Sequence, residues 1–205
     1  MLDAKKVIAY EIDENLCQIL KNKFFDEIQN NKLSIINQNF LQADLSHFQN
    51  NYKLTGNIPY SITGKILRKI LTIENHPSLL VFTLQKEVGE KILSIPHTNF
   101  LSCFVNIFGK VKKVINVKRK YFYPQPKVDS IVIKINFYSK PLIAQTEDFA
   151  KFLKIIFKNP KKKLRNKNIN LKLSPEILEK RVFELSFEEI VEIFNKLNSN
   201  SIVTQ

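Results

Sequence analysis

The apolar positions of the chain follow two periods, and each marks a kind of element. Val7-Ile8-Ala9-Tyr10-Glu11-Ile12 reads as a short buried strand that closes on an acidic residue. Asp13 suits an N-cap, and Leu16, Ile19 and Leu20 follow at helical spacing to about Phe25. Lys32 to Asn37 and Tyr52 to Gly56 read as two more strands, the latter running into Asn57-Ile58-Pro59-Tyr60. Ile62, Ile66, Leu67, Ile70 and Leu71 then share one helical face. Leu79 to Leu84 is an apolar run of strand length, and Gln85 to Leu93 and Asn99 to Phe108 read as helices. Val111 to Val117 and Val128 to Phe137 close the series as strands. The second alternates strictly, with Ile131, Ile133, Ile135 and Phe137 on one face and Lys134 and Asn136 on the other.

Strands alternating with helices predict an α/β domain with a mostly parallel sheet. Only the proline-rich segment Tyr121–Lys127 separates the last two strands, which is too short for a helical crossover, so an antiparallel edge is expected. Beyond Pro141 the pattern is purely helical. Thr146 is placed to cap a helix containing Phe149, Phe152, Leu153, Ile156 and Phe157. Ser174-Pro175 begins another. Ser186-Phe-Glu-Glu189 forms a capping box ahead of Ile190, Ile193, Phe194 and Leu197. The expected organisation is an α/β domain over 1–140 and a small all-α domain over 141–205.

Composition narrows the function. With 44% hydrophobic residues in 205, the chain has material for a packed core. No apolar run reaches membrane-spanning length, and the opening segment Met1–Lys6 carries no apolar leader core, so no membrane association and no secretion are expected. Cys17 and Cys103 make no CxxC pair, and three scattered histidines do not suggest a metal site. A reducing cytoplasm and a monomer are expected. The net charge of +13 is uneven. Residues 1–100 carry 11 basic and 10 acidic side chains, whereas residues 101–205 carry 21 and 9. Lys158, Lys161, Lys162, Lys163, Arg165 and Lys167 concentrate in one run, and Lys110 to Lys120 holds another six cations. Such runs can track a phosphate backbone or serve only as a solvated surface.

The candidate chemistry lies at strand ends. Asn57-Ile58-Pro59-Tyr60 follows Gly56 at the carboxyl end of a strand, where open α/β sheets place ligands. An exocyclic adenine nitrogen is a poor nucleophile because its lone pair is delocalised into the ring. Two acceptors placed on its hydrogens, the Asn57 side-chain oxygen and the Ile58 carbonyl, favour the pyramidal form that reacts. Pro59 biases Ile58 to an extended conformation, and Tyr60 offers a ring for stacking. A plain Asn–Pro turn explains the tetrapeptide equally well. Glu11 can accept hydrogen bonds from both hydroxyls of a ribose, Asn39 can read an adenine edge, and Phe40 can pack on the ring. In Phe122-Tyr-Pro-Gln-Pro-Lys-Val-Asp-Ser130, two prolines stiffen a loop and Phe122 is a second stacking face.

Taken in order, these segments resemble one family. Val7–Leu16, Asn57–Tyr60, Leu84-Gln85-Lys86-Glu87-Val88, Phe122–Ser130 and Lys161–Asn166 are similar to successive signatures of the ribosomal RNA adenine N6-dimethyltransferases of the KsgA type, with the erythromycin-resistance methyltransferases as relatives. The resemblance implies a Rossmann-like, S-adenosyl-L-methionine-dependent methyltransferase domain and a helical RNA-binding domain. It implies Glu11 on the cofactor ribose, Ile12 flanking the adenine, and Asn39 and Phe40 on the cofactor adenine. Asn57 would lie between cofactor and target, with Tyr60 and Phe122 around the target base. The expected partner is small-subunit rRNA or a small ribosomal subunit precursor, dimethylated at two adjacent adenosines in a hairpin near its 3′ end.

Departures from the family pattern bear on activity. The glycine loop of such folds precedes the acidic residue by about 20 positions, whereas ten residues precede Glu11 and the four glycines form no GxG. A first strand, the glycine loop and an N-terminal RNA-contacting segment are therefore expected to be absent, leaving two open sheet edges and a stripe of exposed core. Asn39 stands where the family carries Asp, and Asn99-Phe-Leu-Ser102 replaces a more polar segment. Alternative readings are a non-catalytic rRNA-binding or ribosome-assembly factor, a resistance-type 23S rRNA methyltransferase, and a DNA adenine methyltransferase.

Overall fold

The computed structural model describes residues 4–48, 51–94, 97–167 and 173–201, with side chains described to 198 in the last helix. The chain divides into two compact units, residues 1–49 with 62–75 and residues 50–61 with 76–205.

In the first unit β1 (Val7–Glu11) and β2 (Leu33–Asn37) pair in parallel, Val7 opposite Leu33 and Glu11 opposite Asn37. α1 (Glu14–Lys23) begins where expected. The Asp13 carboxylate accepts from the Asn15 and Leu16 N–H groups at 2.8 and 3.1 Å, satisfying two donors left open at the helix start. α1 ends at Lys23, close to the expected end near Phe25, and a short α2 (Phe25–Gln29) that the pattern did not predict follows. α3 (Thr63–Thr72) buries Ile66, Leu67, Ile70 and Leu71 on the predicted face. The Lys69 ammonium, on the same helix, donates to the carbonyls of Leu41 and Ala43 at 3.1 and 2.5 Å.

The second unit carries β3 (Lys53–Asn57), β4 (Leu79–Gln85), β5 (Gly109–Val117) and β6 (Ser130–Phe137), in the spatial order β3-β4-β6-β5. β3 and β4 are parallel. The expected antiparallel pairing of the last two strands is present, and it extends further than one edge, because β6 lies between β4 and β5 and runs against both. That position explains its alternation. Ile131, Ile133 and Ile135 are fully buried opposite Leu84, Phe82 and Leu80 of β4, which are equally buried. β5 is the outer strand, with a register shift between Lys113 and Ile115 and lysines along its exposed face. Both features discourage further pairing there. Among the described residues β1 pairs only with β2 and β3 only with β4.

α4 (Lys86–Ile92) and α5 (Phe100–Asn106) connect β4 to β5. Asn99 and Ser102 form a capping box at the start of α5 that the sequence reading did not single out. The helices α6 (Thr146–Phe157), α7 (Pro175–Glu179) and α8 (Phe187–Ser201) complete this unit. Phe149, Phe152 and Phe194 form an aromatic cluster between α6 and α8, with centroids 5.1–6.1 Å apart. The Ser186 capping box is present, with Ser186 N–H on Glu189 and Glu189 N–H on the Ser186 hydroxyl at 2.8 and 3.1 Å. Thr146 does not cap α6. It is the first helical residue, and the preceding Gln145 makes no side-chain cap. Both cysteines are free and buried, and burial pushes the Cys103 thiol up to about 12. Among the described residues no helix is long and apolar enough to cross a membrane, and no His, Cys, Asp and Glu group is placed to hold a metal ion.

Two glycines test the packing in opposite directions. A Cβ on Gly109 would sit 2.5 Å from the Asn136 carbonyl oxygen and 2.9 Å from Ile135 Cγ2, a backbone contact that cannot yield cheaply. A Cβ on Gly64 in α3 would meet nothing within 4 Å. Gly109→Ala is expected to destabilise the protein by about 1–3 kcal/mol, and Gly64→Ala to stabilise it by about 0.5–1 kcal/mol. Denaturant unfolding of the two variants reads both signs.

Candidate active site

The site residues of the second unit share one cleft. Asn57 ends β3 opposite Thr83, and the Ile58 N–H continues the ladder to the Thr83 carbonyl at 3.3 Å. The chain then turns through Pro59 into a short 3₁₀ segment, Tyr60–Ile62. The Asn57 side chain is exposed and makes no hydrogen bond to another described residue. Asn57, Ile58, Pro59 and Tyr60 face Phe122, Tyr123, Pro124 and Pro126 across an open cleft of about 570 Å³. That volume suits a small planar ligand. Tyr60 and Phe122 are half-buried on its walls.

The cleft is built by a hydrogen bond that the sequence reading missed. The Tyr60 hydroxyl lies 2.7 Å from the hydroxyl of Ser130, the fully buried first residue of β6. The neighbouring Asp129 ties the same corner to two other segments. Its carbonyl accepts from the Lys86 N–H at 3.0 Å, and its carboxylate accepts from the Arg119 N–H at 3.0 Å. Arg119 also donates through Nη1 to the Lys127 carbonyl at 2.9 Å, closing the loop that carries Phe122. Three of the signature segments thus converge on Asp129 and Ser130. The two residues were quoted within a motif, and only the fold shows what they hold.

The first unit gathers the other predicted residues at the carboxyl ends of β1 and β2. One carboxylate oxygen of Glu11 accepts from the Asp13 N–H at 2.9 Å, which leaves the second oxygen open. The carbonyls of Glu11 and Ile12 both accept from the Asn37 side-chain amide at 3.1 Å, fixing the strand end. Ile12 is 68% exposed, an apolar face without cover. The Asn39 side-chain oxygen accepts from the Leu41 N–H at 3.0 Å and so caps the 3₁₀ turn Phe40–Gln42. Phe40 packs edge-on against Tyr10 at 5.6 Å.

The basic run divides into two groups. Lys158, Lys161 and Lys162 are exposed. Lys163 donates to Glu179 at 2.6 Å, and Arg165 pairs with the same carboxylate. These partners hold Glu179 below the ordinary glutamate value, Lys163 contributing most. Lys167 is half-buried, and burial, then the nearby Lys162, lowers its proton affinity.

Comparison with known proteins shows the family. Residues 1–202 match the family described as ribosomal RNA adenine dimethylase. The chain belongs to that family. It is 37% identical over 198 residues to ribosomal RNA small subunit methyltransferase A of Thermotoga neapolitana, covering 93% of this chain and 72% of the relative. The protein of the same name from Mycoplasma mobile is 37% identical over 200 residues, covering 95% and 71%. The fold is that of a Rossmann-like methyltransferase. It superposes on a dimethyladenosine transferase from Plasmodium falciparum with a TM-score of 0.81 at 24% identity, over 96% of this chain and 83% of that one. On the 23S rRNA methyltransferase ErmE the TM-score is 0.77 at 21% identity, over 94% and 82%. A family of methyltransferases implies a cofactor of the S-adenosylmethionine type for the dimethylase chain described here.

If the Tyr60 and Ser130 hydroxyls hold each other, their removal is not additive. Tyr60→Phe and Ser130→Ala should each cost about 1–3 kcal/mol, because each strands the other hydroxyl in a partly buried place. The double variant should cost about 1 kcal/mol less than the sum. A double-mutant cycle by urea unfolding checks this, and additive costs would refute the coupling.

Proposed function

We propose that this chain is the N6-dimethylating enzyme of two adjacent adenosines in a hairpin near the 3′ end of small-subunit rRNA. The observation that carries the reading is the cleft in which Asn57 and Ile58, at the end of β3, face the rings of Tyr60 and Phe122. The small-subunit methyltransferase A proteins that it resembles over more than nine-tenths of its length support the same substrate.

The chain's own residues have distinct tasks in this reading. An adenine leaves its stack and enters between Tyr60 and Phe122, with stacking replacing what unstacking costs. The Asn57 oxygen and the Ile58 carbonyl accept from the two N6 hydrogens. They thereby draw the nitrogen out of conjugation and aim its lone pair. Pro59 keeps Ile58 extended, so that its carbonyl is not consumed by a helical turn. Ser130 holds the Tyr60 ring in place through its hydroxyl. On the cofactor side, the open carboxylate oxygen of Glu11 fits a ribose hydroxyl, and the exposed Ile12 fits one face of an adenine. Asn39 and Phe40 complete that set. The Asn39 oxygen already caps a turn, so its amide N–H groups are what it offers. When bound, S-adenosyl-L-methionine supplies an electrophilic methyl group.

Residues 1–140 would form the catalytic part and residues 141–205 the RNA-binding part, acting as a monomer in the cytoplasm. Lys158, Lys161 and Lys162 are the cations of the basic run best placed for phosphates. Lys163 and Arg165 spend their charge on Glu179, and Lys167 is partly covered.

Two outcomes test the reading. Asn57→Ala should lower methyl transfer to small-subunit rRNA by about 100-fold or more, with RNA affinity nearly unchanged. Retained turnover would remove Asn57 from its role. Replacing Lys158, Lys161 and Lys162 together by Ala should weaken RNA binding. It should also flatten the slope of log K against log salt by about 0.7–0.9 per lost phosphate contact, whereas an unchanged slope would place the phosphates elsewhere.

A further inference from the structure

Phe122 is followed by Tyr123, whose side chain is 102% exposed, the largest exposure among the large apolar and aromatic residues described. Single exposed aromatics are ordinary on protein surfaces. Three observations set this one apart. It lines the mouth of the cleft formed by Asn57–Tyr60 and Phe122. Phe122 is extended, at φ −107 and ψ 147, so successive side chains point to opposite sides. Phe122 is half-buried at the cleft wall, whereas Tyr123 beside it stands fully exposed. Finally, the loop is braced. The Arg119 N–H binds the Asp129 carboxylate and its guanidinium binds the Lys127 carbonyl, at 3.0 and 2.9 Å. Phe122 N–H closes on the Arg119 carbonyl at 3.2 Å, and Pro124 and Pro126 restrict the rest. On a stiff backbone, only the torsions of the ring itself remain to be ordered on binding.

The surroundings say what would cover it. Lys118, Arg119, Lys120 and Lys127 are all exposed on this loop, and residues 101–128 contain no acidic side chain. Lys120 lies over the ring of Tyr121, itself 72% exposed, at 5.3 Å. A planar aromatic ligand attached to negative charge matches a bare ring among cations, and a nucleotide has both parts.

We propose that Tyr123 is a stacking platform for the nucleotide next to the adenine that enters the cleft, so that Phe122 and Tyr123 hold consecutive bases. Tyr123 is then a positioning residue for the RNA, and this assignment rests on the RNA-methylating reading above. Its hydroxyl is not required, because the ring does the stacking.

The test is a fluorescence-anisotropy titration of the full chain with a labelled RNA hairpin carrying two adjacent adenosines. Two twin hairpins have an abasic site at one or the other adenosine. Tyr123→Ala should weaken binding to the intact hairpin roughly fivefold or more, and Tyr123→Phe should restore it. On one of the two abasic twins, Tyr123→Ala should cause no further loss. A loss of the same size on all three RNAs, or no loss on any, would overturn the platform and leave the functional reading standing. If the unsubstituted chain fails to bind the hairpin, the functional reading falls and the platform falls with it. Denaturant unfolding of Tyr123→Ala should match the parent, since the side chain buries nothing.

Discussion

The hydrogen bond between Tyr60 and Ser130 is the constraint on which the cleft of the second unit depends. It joins two turns that are 70 residues apart in the chain. Ser130 is fully buried and begins a strand flanked on both sides, so its position is inherited from the whole four-stranded sheet. Tyr60 is thereby fixed relative to Asn57, which ends β3 on the far side of β4 from β6. A ring on a free turn would have to be ordered when a ligand arrives. Here that ordering is accomplished by folding, and it draws on the packing of Ile131, Ile133 and Ile135 behind the site. Asp129 extends the same logic to the opposite wall, since its carboxylate and carbonyl hold the Arg119 loop and the start of α4.

Charge is used in two ways in the basic half of the chain. Some cations are structural: Lys163 and Arg165 clasp Glu179, Lys180 binds Glu189 at 2.6 Å, and the Arg181 guanidinium donates to the Lys161 carbonyl at 2.7 Å. These contacts tie together segments that have little regular secondary structure of their own. The cations left exposed, Lys158, Lys161 and Lys162 with those of the Phe122 loop, carry the surplus positive charge toward solvent.

The strand ends of the first unit follow a different pattern. Glu11, Ile12, Asn39 and Phe40 sit at the ends of two parallel strands, and several of their polar groups are already engaged in shaping the loops they occupy. The Asn39 oxygen is turned to the backbone of Leu41, so what the residue has left to offer is its amide N–H groups.

The sequence alone determined the six described strands, most of the helices and the order of the signatures. Helical and strand periods are set by neighbours within a few residues, and so are caps such as Asp13 and the Ser186–Glu189 box. The alternation of Ile131, Ile133 and Ile135 announced a strand with one buried face. It did not announce that β6 lies between β4 and β5, because register and strand order depend on partners dozens of residues away. For the same reason α2 and the misplaced cap at Thr146 escaped the pattern, which carries no record of tertiary packing. The motif residues Asn57, Ile58, Pro59, Tyr60 and Phe122 were legible one by one, and the fold brought them to one cleft. The bond from Tyr60 to Ser130, the double clasp on Glu179 and the engaged oxygen of Asn39 were decided only by the tertiary structure. Each is a choice among several possible hydrogen-bond partners, and that choice is made by distance in space.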